Sequence, residues 1–411
     1  MSEFQNTTRE IELLIPELDQ SDPDISVVVP ALNESVNIRE FVSWAIEGIN
    51  AVGVSGEVLI VDSSVDDTAT LARDAGARVL RVPRRGLGRA YIDALPYIRG
   101  KLVIMGDADC TYDFRILSPF FQKHEEGYDF IMGSRFRGTI ERGSMPIHHR
   151  YLGTPLTTWI LNRIFSTRFS DIHCGMRAIS TTGLRRLNLQ CQSWEYASEM
   201  VIKASRLSMA IAEVPVSFYR DRNGRVSHHR RSGWFSPFSA AWQNLRAMFV
   251  FGADLIVKWP SRLLTLWGTM LCFSLSFGPI SFAAVTFSVF WQLFGALTLL
   301  VGVNLSMLGR ALQPLVDPLF ETPSESEGRK SYNQLMILAF ATGCMGVLAM
   351  SPLVWLYLSK GLRLSNVPDW PQHLAISGFI CICLAFMTFA HAVSKEVAIS
   401  IVSRLKASVA S

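Results

Sequence analysis

Charge is what this sequence is short of. Of its 411 residues, 18% are Asp, Glu, Lys or Arg, against about 25% in an average soluble chain. The deficit is local: residues 263–309, 331–359 and 370–394 carry no charged side chain at all, while the earlier residues carry charge at ordinary density. With 49% hydrophobic residues, wholesale disorder is excluded, and a wholly soluble chain fits poorly. Cysteine frameworks are also missing. The seven cysteines (Cys110, Cys174, Cys191, Cys272, Cys344, Cys381 and Cys383) form no CxxC pair and no zinc spacing, and an odd, scattered set suits a reducing compartment. No GxGxxG follows a strand and no GxxxxGKS occurs, which argues against a dinucleotide fold and a P-loop. A net charge of +4 gives no reason to expect a nucleic-acid partner.

What is present falls into two parts. Residues 1–24, with Glu3, Glu10, Glu12, Glu17, Asp19, Asp22 and Asp24, read as an acidic mobile tail without a signal-peptide pattern. Residues 25–232 read as a polar domain. The 47 uncharged residues of 263–309 would make one helix of about 70 Å, too long for a hydrocarbon core of about 30 Å. Two crossings fit, with a break near Gly278 and Pro279. Four spans are expected, at about 263–284, 288–309, 334–358 and 373–394, followed by a tail at 395–411. Arg310, Arg329, Lys330, Lys395, Arg404 and Lys406 then share a side with the polar domain, which makes that side cytoplasmic. None of the spans holds an acid or a Lys or Arg, so an ion-coupled transporter is a poor fit. Residues 233–262 mix Trp234, Phe235, Phe238 and Trp242 with Arg246 and Lys258, the pattern of interfacial helices. Just before them Arg220, Arg222, Arg225, Arg230 and Arg231 cluster, a topology signal and a candidate contact for an anionic substrate.

In the polar half, short β-branched runs alternate with helical stretches. Strands are expected at Ile25–Val29, Val58–Val61, Arg78–Val82, Leu102–Met105 and Tyr128–Met132, with helices around 35–52, 66–76, 86–98 and 195–207. That alternation predicts an α/β domain with a mostly parallel, doubly wound sheet. Ligands in such sheets bind beyond the carboxyl ends of the strands. Three of those ends carry acids: Asn33-Glu34, Asp62 through Asp66, and Asp107-Ala108-Asp109. A lone DxD is a weak signal, because a solvated turn also collects acids. Here it follows a buried strand directly, and Mg²⁺ is commonly held by one or two carboxylates plus substrate phosphates.

The chain resembles the family 2 glycosyltransferases of GT-A fold, and most closely the polyprenyl-phosphate branch that includes dolichyl-phosphate mannosyltransferase. The residues that carry this are Val29-Pro30-Ala31-Leu32-Asn33-Glu34, Asp62 through Thr68, Gly86-Leu87-Gly88-Arg89-Ala90-Tyr91 and Gly106-Asp107-Ala108-Asp109. Gly133-Ser134-Arg135-Phe136, Asp171 with Cys174-Gly175-Met176-Arg177, and Glu213-Val214-Pro215 continue the series in order. The resemblance covers about residues 25–230 and implies a GT-A nucleotide-diphospho-sugar transferase domain followed by an all-α membrane domain. It implies that Pro30, Leu32, Glu34, Asp62, Asp107 and the Ala108 backbone bind a UDP- or GDP-hexose. It implies Mg²⁺ or Mn²⁺ at Asp107 and Asp109, and Arg135 and Arg150 on the phosphate of an undecaprenyl or dolichyl lipid. Arg222 would close over the donor phosphates. The relatives leave room for a homo-oligomer. Three positions depart from the pattern: Ser63 stands where a second acid is common, Thr111 where Gln is common, and Ala94 where Gly is common.

The activity implied is metal-dependent hexose transfer to a polyprenyl phosphate, with inversion, on the cytoplasmic face of the membrane. A phosphate acceptor is already anionic, with a second pKa of about 6, so no strong general base is needed. The sequence indeed offers no evident His–carboxylate pair for one. Two other readings are a processive polysaccharide synthase, for which Gln243 to Ala247 lacks the Trp of a QxxRW motif, and a non-catalytic membrane scaffold.

Overall fold

The computed structural model describes residues 11–220, 246, 248–249, 251–252, 256–282, 285–316, 332–362 and 368–410. The chain forms two compact units, Met1–Phe251 and Gly252–Ser411.

The first unit is built on one eight-stranded sheet. Its strands are β1 (Glu12–Leu14), β2 (Ile25–Ala31), β3 (Gly56–Asp62), β4 (Arg78–Arg81), β5 (Leu102–Met105), β6 (Phe130–Ile140), β7 (Arg177–Ser180) and β8 (Ile211–Phe218). They lie in the order β1-β4-β3-β2-β5-β7-β6-β8. The β4-β3-β2-β5 block is parallel throughout, as is β6 with β8, while β1 and β7 run antiparallel to their neighbours. The sheet is therefore mixed and mostly parallel. β2 reads Ile-Ser-Val-Val-Val-Pro-Ala and is buried almost without interruption, as a strand covered on both faces must be.

Helices α1 (Ile38–Val52), α2 (Thr68–Asp74), α3 (Leu87–Ala94), α4 (Ser118–Glu125), α5 (Thr154–Phe165), α6 (Thr181–Leu187) and α7 (Tyr196–Arg206) accompany the sheet among the described residues. In α1, Ile38, Phe41, Val42, Ala45 and Ile49 form the buried stripe, and Gly53 at φ 80° ends the helix, the left-handed conformation a C-terminal glycine supplies.

Two expectations change here. Part of the acidic stretch expected to be a mobile tail is instead an edge strand. β1 pairs with β4 in register Glu12↔Arg81, and Asp19 lies 2.9 Å from Arg99. The basic strand β4 thus gives the acidic segment a partner. The domain boundary also moves from 232 to 251. Met248 is buried, and Arg206 donates to the Phe251 carbonyl at 2.9 Å. Most of the expected interfacial helices, and the Arg222 to Arg231 cluster, lie outside the described residues.

The second unit contains α8 (Lys258–Ser274), a hairpin of β9 (Ile280–Phe282) and β10 (Val285–Phe287), α9 (Val289–Val316), α10 (Tyr332–Ser359) and α11 (Asp369–Ala410). Among the described residues, three segments are long and apolar enough to cross a membrane: Val289–Ala311, Tyr332–Ser359 and Asp369–Ile401. The expected first span, 263–284, is not one helix, and the unit is not all-α. α8 has 17 residues, about 25 Å. It ends before Gly278, at φ 145°, and Pro279, and the β-branched residues beyond them form the hairpin. Cys272 of α8, Ala296 and Leu299 of α9 and Ile380 of α11 share a buried apolar cluster. Gln292 of α9 donates to the His373 carbonyl at 2.9 Å and to Ser377 Oγ at 3.0 Å, both on α11. α10 and α11 touch backbone to backbone, since a Cβ on Gly346 would stand 2.6 Å from the Gly378 oxygen. Small residues at such crossings are how apolar helices gain packing in a bilayer.

Candidate active site

The carboxyl ends of β2 and β3 are laced together by side chains. After β2 the chain turns through Asn33, at φ 54°. Asn33 N donates to Ser64 Oγ at 2.7 Å, and its Oδ1 accepts from Val65 N at 3.1 Å. Glu34 is buried, and its backbone N–H donates to Thr68 Oγ1 at 3.0 Å. The two loops thus form one rim, with Pro30 and Leu32 half-buried on it.

Asp62 ends β3 with no exposed surface. Its Oδ1 accepts from Ser64 N at 3.2 Å, while Oδ2 has no hydrogen-bond partner among the described residues. Burial pushes this carboxyl above its ordinary value. Opposite it in register stands Arg81 of β4, whose Nε is 4.0 Å from Oδ2 and is also unpartnered. Sequence reasoning missed Arg81. Nothing in an Arg-Val-Leu-Arg strand shows that its last residue faces Asp62, because that depends on strand register.

The Asp107-Ala108-Asp109 turn follows β5. Ala108 is buried, and Cys110 at φ 58° reverses the chain. Thr111 holds Asp109: its N–H and hydroxyl both donate to Asp109 Oδ1, at 3.0 and 2.6 Å. The residue that departs from the family pattern therefore orients the second carboxylate. Asp107 lies against Gly175, where a Cβ would stand 2.5 Å from Asp107 Oδ2, so the glycine makes room for the acid. Two hard oxygen donors at a strand end suit Mg²⁺ or Mn²⁺, which take one or two carboxylates and complete their shell with water and substrate phosphate. No group of three or more His, Cys, Asp or Glu side chains forms a metal cluster among the described residues.

Arg135 and Asp171 are brought together. Arg135 Nε and Nη2 donate to Asp171 Oδ2 and Oδ1 at 2.7 and 2.9 Å, and the Arg135 N–H adds a third bond at 3.2 Å. Both residues are buried. Burial pushes the Asp171 carboxyl up, and the adjacent Arg135 charge and hydrogen bonds outweigh it, leaving it below the usual range. The sequence reading gave Arg135 to a lipid phosphate. The structure commits one edge of its guanidinium to Asp171. Glu213, which sits within β8 rather than at a strand end, accepts from Ser170 N at 2.7 Å and so fixes the loop that carries Asp171.

Arg150 lies apart from these in a π-helical turn, His149–Gly153, that runs into α5. Its guanidinium is 5.6 Å from the Tyr151 ring, and it has no ion pair among the described residues. Around it Ile147, Tyr151, Leu152, Leu156 and Trp159 are all exposed. At helical spacing they form one apolar stripe.

Two further motifs are scaffold. Gly86 and Gly88 let the 191–193 segment approach, since Cβ atoms there would stand 2.2 Å from the Gln192 and Cys191 oxygens. Buried Glu199 holds the same segment, accepting from Gln190 N at 2.9 Å and Cys191 N at 2.8 Å, and pairs with Lys203 at 2.6 Å. Arg222 lies outside the described residues.

A mixed, mostly parallel sheet with carboxylates on its strand ends and a DxD turn after a central strand defines the GT-A class of nucleotide-sugar transferase folds. A sequence profile described as "Glycosyl transferase family 2" matches residues 26–190. A low-salt glycan biosynthesis hexosyltransferase of Haloferax volcanii is 32% identical over 309 residues, covering 75% of this chain and 73% of that protein. The chain belongs to glycosyl transferase family 2 and is a glycosyltransferase. It is also 29% identical over 208 residues to a dolichyl-phosphate hexose transferase of the same organism, covering 49% of this chain and 86% of that protein. Among solved structures, glucosyl-3-phosphoglycerate synthase from Mycobacterium tuberculosis aligns at 22% identity and a TM-score of 0.42, over 56% of this chain and 79% of that one.

Proposed function

We propose that the protein transfers a hexose from a nucleotide diphosphate sugar to a polyprenyl phosphate at the cytoplasmic membrane surface, with inversion. The observation that carries this is the placement of Arg150. A cation without an ion-pair partner among the described residues stands in an exposed apolar stripe. A soluble acceptor needs no such stripe, whereas an amphipathic element seated in the headgroup region does. It would offer a cation to a phosphate at the depth where a lipid carries one. The name of a relative supports this: the chain is similar over 208 residues to a dolichyl-phosphate hexose transferase.

Asp62 Oδ2 and Arg81 Nε, 4.0 Å apart and each without a hydrogen-bond partner among the described residues, offer an acceptor beside a donor, while Arg81 Nη1 lies 3.6 Å from Glu12. That pair complements the N–H and C=O edge of uracil or guanine. Asp107 and Asp109 would hold Mg²⁺ or Mn²⁺, which supplies charge neutralisation to the leaving diphosphate. Arg150 holds the lipid phosphate, with the free edge of Arg135 and with Asp171 fixing that side chain. The acceptor oxygen is already charged and attacks the anomeric carbon from the face opposite the diphosphate, so no side chain has to remove a proton. Arg310, Arg329, Lys330, Lys395, Arg404 and Lys406 in the sequence around the apolar segments support a cytoplasmic face for the catalytic unit by the positive-inside rule.

The test uses purified full-length protein in detergent with Mn²⁺ or Mg²⁺ and undecaprenyl phosphate. Labelled UDP-glucose, UDP-galactose, UDP-N-acetylglucosamine and GDP-mannose are offered separately. Chelator-sensitive label in the organic phase from one donor supports the reading and names the sugar. Nucleotide binding with label only in water-soluble products would overturn the lipid acceptor, and an unchanged anomeric configuration would overturn inversion.

A further inference from the structure

We propose that His173 is a positioning residue that fixes the spacing of Arg135 and Arg150 through Thr157 and Asp171. The inference rests on the reading of those two arginines as the acceptor-phosphate site and extends it.

The two arginines sit on different elements. Arg135 belongs to β6 and is clamped by Asp171. Asp171 is in turn held to the sheet, because Glu213 of β8 accepts from Ser170 N at 2.7 Å and Ser170 Oγ at 3.0 Å. Arg150 belongs to the π-helical turn ahead of α5, on the apolar stripe. A phosphate gripped from both sides needs these two supports at a fixed separation. Errors of about 1 Å in such a constellation cost about a hundredfold in rate.

A side-chain link between the supports passes through the imidazole. Thr157 lies in the first turn of α5, and its Oγ1 donates to the Gly153 carbonyl at 2.8 Å, which ties it to the turn that carries Arg150. A hydroxyl has one proton. With that proton on Gly153, the 2.8 Å contact between Thr157 Oγ1 and His173 Nε2 takes the imidazole as donor. At the other end, His173 N donates to Asp171 Oδ1 at 3.2 Å, the same oxygen that accepts Arg135 Nη2 at 2.9 Å. The chain Arg150 turn, Thr157, His173, Asp171, Arg135 is therefore continuous. Next to it, Ile172 N meets Thr158 Oγ1 at 3.5 Å, a contact too long to hold the loop alone. One helix thus presents Leu156 and Trp159 outward and consecutive threonines inward, onto the loop that orients Arg135.

His173 acts as a neutral strut. Burial pushes its imidazole down to about 4, and the charges of Arg135 and Arg177 add to that effect, against Asp171. A charged ring beside Arg135 would oppose the arginine that the loop exists to place.

The experiment measures kcat, donor KM, acceptor KM and melting temperature for full-length protein in nanodiscs containing polyprenyl phosphate. His173→Phe keeps the volume and removes the hydrogen bond, and Thr157→Val removes the other partner with little change in shape. Each is expected to raise acceptor KM by roughly tenfold and to leave donor KM within about twofold. The double variant is expected to be no worse than either single one, because both cut the same link. His173→Gln, which keeps an N–H donor, is expected to recover part of the loss. Should His173→Phe fold poorly, Thr157→Val carries the test. Unchanged acceptor KM in a wild type that transfers normally would overturn the inference. So would fully additive effects, or a parallel change of both KM values with the melting temperature, which marks a packing role. A wild type that transfers to no polyprenyl phosphate defeats the acceptor reading itself and this inference with it, and that result comes before any variant is made.

Discussion

Among single residues, the acids on the strand ends divide by what surrounds them. Asp109 is oriented by Thr111, so Asp109→Asn is expected to keep the fold and lose transfer by on the order of a hundredfold or more, the scale of removing one group that stabilises developing charge. Circular dichroism and label in the lipid phase check this. Asp62 behaves differently. Burial raises its carboxyl in the folded state, so the stability it permits is complete at low pH and is lost as pH rises through the folded value. Asp62→Asn is therefore expected to melt above the wild type at pH 7, with the gap closing below about pH 4, the unfolded value of an aspartate. Nucleotide affinity falls in the same variant, and calorimetry reads both. Asp171 has the opposite sign. Its carboxyl is lowered, so its contribution is present at neutral pH and lost in acid. Asp171→Asn leaves Arg135 buried without a counter-charge and is expected to cost about 3–5 kcal/mol in denaturant unfolding. The acids at 62, 107 and 109 were legible in the sequence because an apolar run ending in acids marks a strand end. Arg81 and His173 were not, because their roles depend on which residue stands opposite them in space.

Among elements, periodicity was informative where one face is buried. Leu102–Met105 falls where its apolar run does, and α1 and α7 follow their buried stripes closely. β6 runs on to Ile140 beyond its apolar core, because an irregularity between Ser134 and Thr139 lets the strand resume pairing with β8. A bulge leaves no pattern in hydropathy. β1 was hidden by the acids in and after it, Glu12 and Asp19, which are paired by arginines that are distant in sequence. In the second unit, the α10–α11 contact depends on Gly346 and Gly378. Gly346→Leu is expected to force these helices apart, lowering the melting temperature in detergent while leaving nucleotide binding intact. Tryptophan-based melting and nucleotide titration on the same sample separate the two effects.

For the molecule as a whole, composition alone divided the chain, since three uncharged stretches cannot belong to the same solvent as the first 200 or so residues. What composition could not show was how 263–284 is built, because helix and hairpin are equally apolar.

That hairpin decides parity. If only α9, α10 and α11 crossed, the number of crossings would be odd, and the end of α11 would lie on the face opposite the start of α8. α8 is packed along the middle of α9, with a Cβ on Gly268 falling 2.4 Å from Leu299 N, so it occupies the same depth. Its 17 residues are short, and the β9–β10 ribbon adds length beyond it, with its inner edges paired and its open outer edges suited to the headgroup region rather than the hydrocarbon. An even count is then expected: the end of α9 and the end of α11 would return to the face from which α8 starts, with Lys360 on the other. Single cysteines at Lys258, where α8 starts, and at Ser411 are then expected to react with a membrane-impermeant maleimide from the same side, and one at Lys360 from the opposite side; reaction at Lys258 from the Lys360 side would overturn the fourth crossing.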